Sequence, residues 1–122
     1  MGNRIPSLLA LLLAACSTAQ ERDQAQLMDV IESRVSLPEG TSAIGNYARY
    51  YTFDGALVRA VYLIPFGDEV RPERTDDLKA GQRRWVEEKS LPMVFDGGCS
   101  VVNVLFDPSS SANILVFCNG DA

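Results

Sequence analysis

An unbroken apolar run, Leu8 to Ala15, is the first patterned segment of the chain, and Arg4 is the only charged side chain before it. A short apolar stretch behind a positive residue is typical of an export signal, whose apolar region needs about 7 to 15 residues. A membrane-spanning helix needs roughly 20 apolar residues. The run therefore predicts a leader, which we assign to residues 1–15.

Three- and four-residue spacing of apolar positions predicts a helix over Gln24 to Ser36. The apolar face of this helix carries Leu27, Val30, Ile31 and Val35. Pro38 and Gly40 are expected to stop it. The small and polar residues of 17–23 before it predict a short tether, so that a single domain covers residues 24–122.

Two β-prone runs follow, Asn46 to Phe53 and Ala56 to Ile64. Asp54-Gly55 lies between them and is among the strongest hairpin signals. In the register that makes those two residues the loop, Tyr51 faces Val58. One face of the hairpin then carries Tyr47, Tyr51, Phe53, Val58, Ala60, Tyr62 and Ile64.

That face has less polar content than the other, so we assign it to the core. Arg49 is the exception on it. We expect Arg49 near a sheet edge, where its apolar stem can lie on the core while the charge reaches water.

A second hairpin is predicted from Ser100 to Phe106 and Asn113 to Cys118, with the turn cluster 107–111 between them. If Phe106 lies near Ser111, Val101 faces Val116 and Cys99 faces Cys118. Opposed residues of this kind have Cα atoms about 4.5 Å apart, which a disulfide accepts. Both strands are apolar on both faces, which predicts a central position in the sheet.

Between the hairpins, residues 68–89 are rich in charges of both signs. Within them, Arg83 to Glu87 fits a short strand or a helical turn, and periodicity does not decide. Leu91 to Phe95 is an extended apolar approach to the second hairpin. The pattern predicts an α+β fold, with one N-terminal helix packed on an antiparallel sheet of four or five strands. In topology alone it resembles cystatin-like folds and small envelope-lipoprotein domains, which implies no activity.

The leader ends in Leu13-Ala14-Ala15-Cys16, which closely resembles the lipobox of bacterial lipoproteins. The resemblance covers only the leader. It implies a diacylglycerol on the Cys16 thiol, cleavage before that residue, and a lipid-anchored protein of the cell envelope. Ser17 follows the cysteine, and in enteric bacteria a residue other than aspartate there directs such proteins to the outer membrane, here facing the periplasm.

Two other interpretations of the N-terminus stay open. An ordinary signal peptidase cutting near Ser17-Thr18-Ala19 would discard Cys16 and free the domain, and a buried N-terminal helix would leave Cys16 unexplained. N-myristoylation is rejected, because the motif wants Ser or Thr where this chain has Pro6.

Lipidation would consume one of the three cysteines and leave Cys99 and Cys118 as a pair in an oxidising compartment. The sequence therefore predicts a Cys99–Cys118 disulfide. The alternative is two buried free thiols.

Composition argues against several kinds of activity. The net charge of −5 disfavours nucleic acid as a partner. The chain has no histidine, which excludes Ser-His-Asp and Cys-His catalysis and most zinc sites. No glycine-rich phosphate loop is present either, so we expect no enzyme activity, no cofactor and no metal.

Two acidic pairs and one acidic loop were weighed as chemical sites. Asp76-Asp77 and Glu87-Glu88 lie among basic residues, which favours a solvated surface over a catalytic pair. Asp68, Glu69 and Asp76 do not have the spacing of an EF-hand calcium loop.

Aromatic and basic residues mark candidate binding surfaces. Arg83, Arg84 and Trp85 form the most interface-like cluster, because Trp and Arg are enriched in binding hot spots. Alternatively, Trp85 caps the core. The four tyrosines line a groove or pack the sheet: Tyr47, Tyr50, Tyr51 and Tyr62.

Three classes of function follow. The leading one is a lipid-anchored, non-enzymatic envelope domain that binds or scaffolds another envelope protein. The second is an inhibitor of a secreted hydrolase, with an exposed loop such as 68–80 entering the target. The third is a carboxylate-dependent hydrolase.

Overall fold

A computed structural model describes residues 5–65, 78–110 and 114–120, with side chains from residue 19 onward. The chain forms two compact units, Met1–Ser33 and Arg34–Ala122. The first contains the single α-helix of the described residues, and the second contains a five-stranded sheet. The predicted α+β class is therefore confirmed.

Helix α1 runs from Ile5 to Arg34, so residues 17–23, predicted as a tether, are helical. Ile31 is fully buried and Met28, three residues before it, is nearly so. Residues at this spacing lie on the same side of a helix, which confirms the helical periodicity and adds Met28 to the predicted apolar face. The helix ends at Arg34 rather than Ser36. No helix among the described residues has the length and apolar character that a membrane span requires.

The sheet has the strand order β3-β1-β2-β4-β5. The strand bounds are β1 Ala48–Asp54, β2 Leu57–Leu63, β3 Arg83–Trp85, β4 Val101–Phe106 and β5 Ile114–Cys118. Neighbouring strands are antiparallel except for β1 and β3. The predicted wholly antiparallel sheet is therefore wrong at this pair. Strand β3 starts at the end of the sheet where β2 finishes and lies beyond β1, so it runs parallel to β1.

The segment left open between strand and helical turn contains a short strand. Arg83–Trp85 forms β3, and a 3₁₀ turn at Glu88–Ser90 follows it. The ladder to β1 is continued by backbone hydrogen bonds from Arg49 N to Gln82 O (2.9 Å) and from Val86 N to Tyr51 O (2.8 Å).

The first hairpin turns at Gly55-Ala56 rather than at Asp54-Gly55. Tyr51 consequently faces Ala60, where Val58 was predicted. Gly55 has φ of 59°, a left-handed backbone that glycine adopts without steric cost. Because the register shift is an even number of residues, every side chain stays on its predicted face.

The face assigned to the core is buried across the middle of the sheet. Its fully buried members on the three central strands are Tyr47, Tyr51, Val58, Ala60, Tyr62, Val102 and Val104. Phe53 is the exception, since it is largely exposed near the hairpin end. The opposite face is also covered: Ala48 and Tyr50 are buried in a cluster with Leu78. The chain that leads into and out of β3 supplies this second layer.

Arg49 does not lie at an edge, contrary to prediction, because β3 pairs with β1 on its outer side. The side chain is buried, and its Nη1 donates to the backbone oxygens of Ile44 (3.1 Å) and Tyr47 (3.4 Å). Backbone carbonyls therefore take the place of water around the charge.

The second hairpin forms, but in a different register. Val116 faces Val104, not Val101, and Cys118 faces Val102. Strand β4 lies inside the sheet, whereas β5 is an edge strand on which Leu115 is 56% and Phe117 45% exposed. The predicted central position therefore holds for one strand of this hairpin and is wrong for the other.

Candidate binding site

Cys99 and Cys118 form a disulfide with a Cα–Cα distance of 4.7 Å. The pairing is as predicted, but the geometry that produces it is not. Cys118 ends β5, while Cys99 lies outside the ladder in a 3₁₀ turn, Gly98–Ser100. This turn brings Cys99 to the end of β5, and the Tyr47 hydroxyl donates to the Cys99 carbonyl (2.7 Å). The disulfide therefore fixes this turn against the edge strand.

The cluster Arg83, Arg84 and Trp85 is divided by the strand that carries it. Successive residues of a strand point to opposite faces, so exposed Arg84 lies opposite its two neighbours. Trp85 stacks on Tyr51 (ring centroids 6.4 Å, interplanar angle 12°) and meets Phe53 edge-on at 4.7 Å. Trp85 thus extends the aromatic packing of the core face to the margin of the sheet.

The tyrosines do not line an open groove. Tyr47, Tyr51 and Tyr62 are fully buried, and the hydroxyls of Tyr51 and Tyr62 share a hydrogen bond of 2.6 Å. On the other face, the Tyr50 hydroxyl accepts a hydrogen bond from the backbone N–H of Leu78 (2.9 Å). Each ring therefore packs the sheet, and these hydroxyls satisfy buried polar groups.

The acidic candidates form no site within the described residues. Glu87 and Glu88 are exposed, and Glu87 pairs with Lys89 at 3.2 Å. No group of three metal-ligating side chains occurs in the part of the chain that the structure describes. The remaining candidates lie outside the described residues: Asp68, Glu69, Asp76, Asp77 and the 68–80 loop as far as residue 77.

A more exposed feature is the segment 92–96, which we call the apolar loop. Phe95 is 86% and Met93 79% exposed, the highest values among the large apolar side chains described, and Val94 between them is also exposed. The sequence predicted only an extended approach to the second hairpin here. Three consecutive apolar side chains face solvent instead.

One asparagine holds the backbone of this loop on both sides of Phe95. The Nδ2 of Asn119 donates to the carbonyl oxygens of Val94 (2.7 Å) and Asp96 (3.0 Å). Its Oδ1 accepts from Nδ2 of Asn103 (2.6 Å), a residue of β4. Because both ends of the Asn119 amide are engaged in this way, its orientation is determined by the network. The loop backbone is therefore fixed to the sheet while the Phe95 side chain is free to bind.

Both ends of the apolar loop are anchored as well. Before it, Leu91 packs against the buried cluster on the second face of the sheet. After it, Gly97 turns the chain with φ of 100°, and Cys99 is tied to β5. A Cβ at Gly97 would lie 3.0 Å from Oγ of Ser100, so the turn requires glycine.

A rigid, exposed apolar loop is a surface suited to binding, because ordering costs are met during folding rather than on association. Protein-family models, curated proteins and solved structures offer no match to this chain. The functional argument therefore rests on the geometry of the loop. Sequence reasoning missed Asn103 and Asn119, and no local pattern marks them, since asparagine beside a strand end is an ordinary turn residue.

Proposed function

We propose that this chain is a lipid-anchored, non-enzymatic protein of the bacterial cell envelope that binds a protein partner through the apolar loop. The anchor is supported by the lipobox-like Leu13-Ala14-Ala15-Cys16. The compartment is supported by the Cys99–Cys118 disulfide, because such bonds persist in oxidising compartments.

The observation that carries the binding role is the exposure of Phe95 on a backbone clamped by Asn119. Single exposed apolar residues are common on protein surfaces. Here three adjacent ones are held outward by a dedicated hydrogen-bond network and a disulfide. Large apolar anchors of this kind dominate the energy of protein interfaces. The loop 92–96 contains no Lys or Arg, which favours a protein partner over anionic surfaces.

The anchor is tested by expressing the full chain in a bacterium with radiolabelled palmitate, beside Cys16→Ser. We expect label in the parent chain, its loss in the variant, and fractionation with the outer membrane. Label that persists in Cys16→Ser contradicts lipidation at this residue, and recovery in the inner membrane alone contradicts the membrane assignment.

The binding role is tested by placing a photo-crosslinking amino acid at Phe95 in one variant and at Leu115 in another. Both positions are exposed and apolar, so they make a matched pair. We expect a discrete crosslinked protein in intact cells from position 95 and not from position 115. Equal crosslinking from both positions would contradict a specific role for the loop.

A further inference from the structure

We infer that the apolar loop is a substrate-like inhibitory loop for a secreted serine endopeptidase with an apolar primary specificity pocket, and that Phe95 enters that pocket. The inference rests on the proposed function, since it names the partner of the same loop. It moves the inhibitor hypothesis from the 68–80 loop to residues 92–96.

The first argument is the shape of the loop around Phe95. The side chain is 86% exposed at a bend in the backbone, between two residues whose carbonyls are held by the sheet. A hydrophobic slot of the chymotrypsin type takes an aromatic side chain presented in this way. No non-glycine residue in the described part of the chain has a positive φ, so the loop reaches this shape through ordinary backbone conformations.

The second argument is the position of the clamp. Asn119 binds the carbonyl of the residue before Phe95 and that of the residue after it. These two residues flank the side chain that would fill the pocket and include both neighbours of the Phe95–Asp96 peptide bond. Restricting both sides of that bond pre-organises the loop for the cleft of an endopeptidase. A loop serving only as an apolar contact has no need of a clamp centred on one peptide bond.

The third argument is what the clamp does if the bond is attacked. The enzyme's serine Oγ forms an ester with the Phe95 carbonyl carbon, and the bond from that carbon to the Asp96 nitrogen breaks. The serine proton passes through the enzyme's histidine to the Asp96 nitrogen. No other reactant is needed, and the reverse step restores the peptide bond and returns the proton to the serine.

The reverse step is favoured here because the new amine cannot leave. The Asp96 carbonyl stays bound to Asn119, and the chain after it is tied to β5 through Cys99. On the other side, the Val94 carbonyl is bound to the same asparagine. The amine therefore remains beside the ester, where its high effective concentration opposes attack by water. Such a loop inhibits its enzyme, whereas an unbraced loop of the same sequence is digested.

The experiment titrates the purified full chain, in mild detergent, against chymotrypsin, subtilisin and trypsin with small chromogenic substrates. We expect competitive inhibition of an endopeptidase that accepts aromatic residues and none of trypsin. Phe95→Lys should weaken the first inhibition by about 30-fold or more, as for an interface hot spot, and create inhibition of trypsin. Leu115→Ala is the matched control, exposed and apolar but outside the loop, and should inhibit like the parent.

Asn119→Ala tests the clamp separately from the pocket residue. We expect this variant to be cut between Phe95 and Asp96 at least about tenfold faster than the parent, as followed by mass spectrometry, because the ordering that the clamp provides is lost. Circular dichroism of the variant checks that the sheet remains folded. Cleavage at the same rate in parent and variant would overturn the inhibitory role of the clamp.

Two further outcomes would overturn the inference. One is absence of inhibition of both chymotrypsin and subtilisin by the parent chain, and the other is inhibition that Phe95→Lys leaves unchanged. If either occurs while palmitate labelling and Phe95-dependent crosslinking persist, the endopeptidase assignment fails and the proposed envelope binding function stands. If labelling and crosslinking also fail, the proposed function fails with it.

Discussion

Removal of the Cys99–Cys118 disulfide should destabilise the domain more than most other pairs of conservative changes. The bridge spans a sequence separation of 19 residues and joins the 3₁₀ turn at Gly98–Ser100 to the end of an edge strand. Without it, the turn is held to that strand end by few contacts, including a long backbone hydrogen bond from Gly98 N to Gly120 O (3.4 Å). The perturbation is the double variant Cys99→Ser with Cys118→Ser.

The magnitude follows from the entropy that the closed loop removes from the unfolded chain. A loop of this length gives about 3 kcal/mol at 25 °C on the chain-entropy model, so we expect a loss of about 2 to 4 kcal/mol. Small domains are stable by only about 5 to 15 kcal/mol. In urea, where small proteins have slopes of about 1 to 3 kcal/mol per molar, the unfolding midpoint should fall by about 1 to 3 M.

Trp85 provides the assay, since it is the chain's single tryptophan and stacks on the buried ring of Tyr51. Urea unfolding is followed by its fluorescence in the double variant and in Cys16→Ser, which removes a thiol but not the bridge. Cys16→Ser should unfold like the parent. An unchanged midpoint in the double variant, or thiol titration of Cys99 and Cys118 in the native parent without reductant, would refute the reasoning.

Three further predictions concern single positions. Tyr50→Phe leaves the buried N–H of Leu78 without its acceptor and should lower the free energy of unfolding by about 1 to 3 kcal/mol, measured by urea unfolding; no change would mean that this N–H finds another acceptor. Gly97→Ala places a side chain on a left-handed backbone and should cost about 1 to 2 kcal/mol, measured by the thermal midpoint, and a midpoint equal to that of the parent would contradict the strain. A broad hydrolase screen of the full chain should show no turnover, and activity that Glu87→Ala or Glu88→Ala abolishes would contradict the non-enzymatic assignment.

Hairpins were predictable because turn chemistry and β-prone runs are local signals. Their registers were not, because Asp54-Gly55 permits a loop that starts at either residue, and the ladder chose Gly55-Ala56. In the first hairpin the even shift preserved the faces. In the second, Cys99 left the strand for a 3₁₀ turn, so the correct disulfide was reached through an incorrect register.

Long-range features escaped sequence reasoning for a different reason. A strand of three residues, Arg83–Trp85, has too little alternation to show its partner or direction, so its parallel pairing with β1 could not be foreseen. The Asn103–Asn119 bridge joins residues 16 positions apart, and the hydrogen bonds from Asn119 to the loop span more than 20. Such contacts depend on the assembled sheet. The apolar character of residues 93–95 was visible in the sequence, but their exposure was not.

The central claim is that the chain is lipid-anchored through Cys16, and the N-terminus of the mature protein tests this most directly. The full chain is expressed in a bacterium, extracted from membranes in detergent and digested, and the N-terminal peptide is identified by mass spectrometry. The account predicts a peptide that begins at Cys16 and carries a diacylglycerol on its thiol. A peptide that begins after Cys16, or an uncleaved leader with an unmodified thiol, would contradict the account.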